Sequence, residues 1–221
     1  MKYKLIEKGK IINYLSDGMS VMYGGFMGQG TPHTLISLIL ESGIKNLTLI
    51  GSDTSLPNIG VARLIEAKRV KHIISSHIGL LPEAAKQIRS GTLTAEFIPQ
   101  GTLVERIRCG GAGLGSFLTP TGVGTSVANG KQCFHIENQD YLLELPLRAD
   151  LAIIHADKSD KAGNLSYRLT TRNFNPLIAL AANTVLAEAK QLVDVGELHP
   201  DSIMTPGILV TGVFQGESLW K

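Results

Sequence analysis

Cysteine, aromatic residues and charge are all scarce in this 221-residue chain, and each scarcity excludes a class of protein. The two cysteines, Cys109 and Cys133, make neither a disulfide framework nor a CxxC pair, so a stapled secreted scaffold is excluded and reduced thiols in a cytoplasmic setting are expected. The 21 basic and 19 acidic side chains nearly cancel, which removes the long-range field of a nucleic-acid binder. No apolar run approaches the roughly 20 residues of a membrane span, and the basic start lacks a continuous apolar stretch of signal-peptide length. Neither a membrane partner nor export is therefore expected. Charged residues make up 18% of the chain, against roughly 25% in a typical domain, while hydrophobic residues reach 43%, which excludes a disordered chain. So little charge also points to a folded surface that is partly covered, as in an oligomer.

Glycine is abundant, and the places where it interrupts apolar patterns divide the chain. Residues 5 to 15 follow a helical period until Asp17-Gly18 breaks it. A buried strand, 20–23, runs into Gly24-Gly25-Phe26-Met27-Gly28-Gln29-Gly30, and Thr31 as N-cap with Pro32 at the first turn opens a helix that ends near Ser42-Gly43. Strands are then expected at 47–50, 70–75 and 93–98, alternating with helices at 61–67, 82–89 and 103–108. That alternation predicts an α/β fold: an open, mostly parallel sheet with right-handed crossovers and helices on both faces. From Gly110 to Gly130 no period survives, and 132–137 with 141–145 reads as a hairpin, so residues 110–146 are an expected excursion from a single domain spanning 1–221. Strands at 151–155 and 184–187, a helix from Asn175-Pro176 to Ala182 and a last strand within 208–214 complete the pattern.

The glycine turn at 24–30 carries the strongest chemical signal. Between a parallel strand and a helix, backbone N–H groups and the positive helix end are placed to meet an anion or a carbonyl oxygen. Four glycines in seven residues exceed what one tight turn uses. No Gly-Lys-Ser/Thr follows, so the loop is not of the Walker A type, and His33 stands where a dinucleotide fingerprint needs its third glycine, so no nicotinamide is expected despite Asp53 some 20 residues on. The six histidines include no HExxH pair and no spacing of three or four, so no metal is expected. No GxSxG elbow is present. Cys109 reads as a small packed residue, and Glu137-Asn138 as an exposed turn.

Longer motifs resemble the family I CoA-transferases, in particular the A (alpha) subunit of the two-subunit acetate/acetoacetate/butyrate enzymes. They are Asp17-Gly18, Gly24-Gly25-Phe26-x-x-x-Gly30-x-Pro32, Pro99-Gln100-Gly101-Thr102-Leu103, Glu105-Arg106-Ile107-Arg108, the loop 110–115, the stretch 119–125, Arg148-Ala149-Asp150, Gly163-Asn164-Leu165 and Asn173-Phe174-Asn175-Pro176. Tyr23 departs from the signature, where an aliphatic residue or Phe is expected.

The resemblance implies ping-pong transfer through a glutamyl-CoA thioester, with coenzyme A or acyl-CoA as substrate and no resident metal. The nucleophilic glutamate of the family lies in a B (beta) subunit, within a Ser-Glu-Asn-Gly-like stretch. Of the eleven glutamates here only Glu137 precedes an asparagine, and Gln139 replaces the glycine, so no catalytic nucleophile is expected in this chain. The implied assembly is half of an enzyme, completed by the B subunit, with a heterotetramer expected, and its acids are short-chain carboxylic acids. The CoA-binding segment maps onto Gly24, Gly25, Phe26, Met27, Gly28, Gln29 and Gly30. Gln100, beyond a strand end, is expected to position substrate through its amide. Alternatives are a succinyl (3-oxoacid) CoA-transferase A subunit and, on a similar scaffold, a sugar-phosphate isomerase or a non-catalytic acyl-CoA-binding protein.

Overall fold

The computed structural model describes residues 3–217. Its strands are β1 (Ser20–Tyr23), β2 (Leu47–Asp53), β3 (Val70–His77), β4 (Thr94–Phe97), β5 (Phe117–Thr119), β6 (Cys133–Ile136), β7 (Gln139–Glu144), β8 (Ala149–Asp160), β9 (Leu165–Ser166), β10 (Ala182–Val193) and β11 (Gly212–Gln215). The helices are α1 (His33–Ser42), α2 (Ala62–Glu66), α3 (Pro82–Arg89), α4 (Gln100–Gly111) and α5 (Asn175–Ile178).

The main sheet runs β11-β10-β8-β1-β2-β3-β4, all parallel, with the short β9 antiparallel on β8. The chain starts in the middle at β1, steps outward to β4, and returns on the other side of β1 at β8. Strand order therefore reverses between β1 and β8, which is where open α/β sheets form a crevice beyond their carboxyl ends. Tyr23, the last residue of β1, pairs with Ile153, yet β8 continues to Asp160 and stays paired with β10 through Val193. This two-stranded overhang walls one side of the crevice.

Both faces of the sheet are covered. Successive residues of a strand point to opposite faces, so Val21, Leu49, Ile73 and Ile153 pack under α1, α2 and α3 with Leu35, Ile36, Ile39, Leu64 and Ile65. Their neighbours Met22, Ile50, Ile74 and Ile154 pack under α4 and α5 with Leu103, Ile107, Phe174 and Ile178. Burial on two sides makes these strands near-continuous apolar runs, which is what marked them in the sequence. Asp150 holds the amino ends of β8 and β1 together: its carboxylate accepts from Ser20 N–H at 2.8 Å and Ser20 Oγ at 2.7 Å. Those two bonds hold the Asp150 carboxyl below its ordinary pKa.

Several boundaries differ from the sequence reading. The segment 5–15 holds a 3₁₀ helix only at Lys8–Tyr14, and Leu5 bridges Val213 in β11. Helix α1 begins at His33, with Pro32 as its N-cap in place of Thr31. Helix α4 starts three residues earlier than expected and runs through Gly110 and Gly111, where a Cβ would lie 2.3 Å from Leu147 O and 2.5 Å from Leu180 Cβ. Those glycines let the helix end touch two other segments, so they belong to the helix and not to the irregular stretch. The helix expected from 175 to 182 stops at Ile178, because β10 starts at Ala182. The hairpin is β6–β7, turned at Glu137-Asn138 with both φ positive (47° and 65°), and β5 pairs with β7 to make a separate three-stranded antiparallel sheet. Tyr23 fits because it lies against Gly51 of β2: a Cβ there would meet its ring at 2.4 Å. Its buried hydroxyl donates to Asp53 O at 2.7 Å, and burial with the nearby Asp53 carboxylate pushes its pKa far above the ordinary value.

Candidate functional site

The glycine loop leaves β1 at the switch point and is held by bonds from four directions. Gly24 N–H donates to Ile153 O at 3.2 Å on β8. Gly25 N–H donates to Asn173 Oδ1 at 3.0 Å, and Met27 N–H to Asp53 Oδ2 at 2.9 Å. Phe26 and Gln29 exchange N–H···O bonds at 3.0 and 2.9 Å, closing a two-residue turn whose central residues, Met27 (φ 50°) and Gly28 (φ 87°), are both left-handed. Five of the seven amides are thus used inside the fold. Only the Gly28 and Gly30 N–H groups make no such bond among the described residues.

The four glycines likewise have reasons inside the protein. A Cβ on Gly24 would lie 1.7 Å from Asn175 Oδ1, and one on Gly25, at φ +116°, 2.0 Å from Thr31 Oγ1. The corresponding clashes are with Ile59 for Gly28 (2.7 Å) and the Thr171 backbone for Gly30 (2.9 Å). This corrects the expectation from counting: close packing alone accounts for all four, and the loop is not a row of free amides. Asn175 is the hub beneath it. Fully buried, it accepts from His155 N–H at 3.0 Å and donates to Gly30 O at 2.8 Å and Thr171 O at 2.9 Å. Asp53, 2% exposed, accepts from Ser55 N–H as well as Met27 N–H, so it acts as a fixed acceptor for two loops. Sequence reasoning missed the anchoring roles of Asp53, Asn173 and Asn175; the Asn-Phe-Asn-Pro motif was the only signal for the last two.

The loop stands as a ridge between two clefts. One, of about 250 Å³, lies between Gly28–Gly30 and the β8–β10 overhang, and its charged walls hold Asp157, Glu188, Arg168 and Lys190. Glu188 is 2% exposed; its Oε2 accepts from Leu35 N–H at 2.9 Å in the first turn of α1, where the helix dipole favours a carboxylate. His33 lies in the same cleft with Nε2 3.3 Å from Gly28 O. The other cleft, of about 570 Å³, lies on the α4–α5 side and is lined by Phe26, Val104, Phe174 and Leu177, with Gln100 at the sheet end. Gln100 Nε2 donates to Ser52 Oγ at 3.2 Å, which fixes its amide beside the carboxyl end of β2.

Burial holds the His33 imidazole below its ordinary pKa of 6.5, outweighing the Gly28 carbonyl, which favours the charged form. The unfolded chain therefore takes up the proton first, and this contribution to stability is complete above about 6.5 and lost as pH falls below it. The unfolding midpoint in urea is expected to fall between pH 7 and pH 5, and His33→Gln should flatten that dependence. An identical slope in the variant would remove His33 as its source.

The remaining candidates lie elsewhere. Cys109 is fully buried in α4 and its thiol faces Leu114 O at 3.4 Å, as a packed residue would. Glu137 sits in the hairpin turn of the small sheet. Of the six histidines, His33 and His155 share the charged cleft, and among the described residues no group of three or more His, Cys, Asp or Glu is arranged to hold a metal. No helix among the described residues is long and apolar enough to cross a membrane.

An open parallel sheet covered on both faces, with a glycine turn and paired clefts at its switch point, defines an α/β protein of the kind whose ligand sites form at that crevice. The model of the coenzyme A transferase family matches residues 8–216, and the chain belongs to that family. It is 53% identical over 210 residues to the acetate CoA-transferase subunit alpha of Escherichia coli (strain K12), covering 95% of this chain and 96% of that one. It is 47% identical, again over 210 residues and with the same coverages, to the acetoacetyl-CoA:acetate/butyrate CoA transferase alpha subunit of Clostridium acetobutylicum. Among solved structures, the acyl-CoA transferase of E. coli O157:H7 in a thioester complex with CoA matches with a TM-score of 0.86 at 22% identity. That match covers 97% of this chain and 47% of the other, so the chain spans about half of that protein. At this identity the likeness shows the fold.

Proposed function

We propose that this chain is the A subunit of a CoA-transferase that moves CoA from a short-chain acyl-CoA to a free acid of the acetate, acetoacetate or butyrate class. It works in the cytoplasm with a B subunit that supplies the nucleophilic glutamate, as a heterotetramer, and residues 1–221 act as a single domain with an excursion at 110–146. The observation that carries this reading is a site built for positioning, in which the buried acids beside the loop are spent on holding backbone. Asp53 and Glu188, the two buried acids there, are each held by backbone amides as structural acceptors.

In this reading the glutamate carboxylate attacks the thioester carbonyl, the C–S bond breaks, and a mixed anhydride and CoA thiolate result. The thiolate then attacks the glutamyl carbonyl and the first acid leaves. The incoming carboxylate reverses these steps on the glutamyl-CoA thioester, carrying CoA away on the new acid. Only electron pairs move between carbonyl carbon, oxygen and sulfur, so neither metal nor nicotinamide is required. A carboxylate is a poor nucleophile, and remote binding energy must hold the reacting atoms together. Residues 24–30 offer a rigid surface with the Gly28 and Gly30 amides for the CoA arm, and the Gln100 amide supports the carbonyl oxygen as it gains charge.

The test uses the co-expressed complex with acyl-CoA and no acceptor acid. Borohydride reduction is expected to mark one glutamate of the B subunit and nothing on this chain, and the lone chain should exchange no CoA. Turnover by the lone chain, or an adduct on any of its residues, would overturn the reading.

A further inference from the structure

The α4–α5 cleft is walled by the apolar side chains of Phe26, Val104, Phe174 and Leu177, and its polar lining residues, Ser52, Gln100, Thr170 and Asn173, are all uncharged. Asn173, which borders it, has its amide fully engaged: Oδ1 accepts from Gly25 and Phe174 N–H, and Nδ2 donates to Gln29 O and Thr170 O. Gln100 uses one of its two amide hydrogens on Ser52, and the other remains for a ligand. No Lys, Arg or His lines the cleft among the described residues, in contrast to the charged cleft across the glycine ridge. Val104 follows Gln100 by four residues on α4, so it lies just over one helical turn, about 6 Å, further along the same face. Leu177 of α5 stands in the opposite wall, and both side chains rest on the core beneath.

A ligand with one polar end and a short apolar tail matches this arrangement. With an oxygen on the Gln100 amide and the tail lying along α4, a two-carbon acyl group would stop short of Val104 and a four-carbon group would reach it. A second carboxylate at the far end would meet an apolar wall with no cation to pair with.

We propose that Val104 and Leu177 of the α4–α5 cleft set the length of the acyl chain that the transferase accepts. The assignment rests on the transferase reading above and adds to it the residues that select chain length. It is tested on the complex with its partner subunit, by measuring kcat/KM for acetate, butyrate, hexanoate and succinate with one fixed acyl-CoA donor. The wild-type complex is expected to favour butyrate over succinate by about 100-fold. Val104→Phe should lower the butyrate-to-acetate ratio by about 10-fold, and Leu177→Ala should raise the hexanoate-to-acetate ratio by a similar factor. Because each ratio is taken within one preparation, loss of folded protein in a variant cancels. Ratios within about twofold of wild type in both variants, or succinate used as well as butyrate, would overturn the acyl-chain assignment while leaving the transferase reading intact. A wild-type complex that exchanges none of the four acids would overturn both.

Discussion

Asn175→Ala is expected to lower folding stability by about 3 to 5 kcal/mol, the largest effect of any single truncation near the crevice. The amide side chain satisfies three backbone groups, His155 N–H, Gly30 O and Thr171 O, in a place with no exposure to water. Each group left unpaired costs about 1–3 kcal/mol, and burial excludes easy replacement by solvent. Urea unfolding checks the figure, and a midpoint unchanged from wild type would show that the network carries no weight. Gly24 supplies an internal control. Gly24→Ala places a methyl 1.7 Å from Asn175 Oδ1 and so must expel the same amide. In the Asn175→Ala background that methyl has room, and the double variant should be more stable than the sum of the two losses implies, by about 2 kcal/mol.

Gln100→Ala is expected to lower kcat of the assembled complex by about 100- to 1000-fold, the range for removing one donor to a developing oxyanion. Gln100 is exposed and heads α4, so truncation removes no buried packing, and the fold should keep its stability. KM for the acyl-CoA should change little, because the interaction strengthens only as the carbonyl oxygen gains charge. Steady-state kinetics separate the two parameters. A rise in KM with kcat untouched would make Gln100 a ground-state contact instead. Ser52→Ala removes the hydroxyl that fixes the amide and should give a smaller loss in the same parameter.

Much of this architecture was legible in the sequence because two-sided burial leaves a plain record. Leu151 to Ile154 is an unbroken apolar run, and Leu47 to Ile50 is interrupted only by Thr48, because alternate residues enter different cores. Glycine and proline marked the ends of α1 and α3 with little error. The outer halves of β8 and β10 were hidden, since beyond Ala156 and Ala189 the strands leave the covered sheet and Asp157, Lys158, Lys190 and Gln191 break the apolar pattern. Strand β5, three residues long, falls below what a period can reveal. At the site, the loop and Gln100 could be named because they are local motifs. The anchors could not: Asn173 lies 148 residues from Gly25 along the chain, and an asparagine before Pro reads simply as the start of a helix.

The internal bonding of the glycine ridge has an energetic consequence for turnover. A glycine-rich segment in solution samples many backbone states, and fixing seven such residues on binding would cost several kcal/mol of entropy. Here Asp53, Asn173, Ile153 and the loop's own turn impose that order during folding. A ligand reaching the ridge meets a surface already set, so little of its interaction energy is diverted to ordering the protein and the remainder is available for aligning the reacting carbonyl.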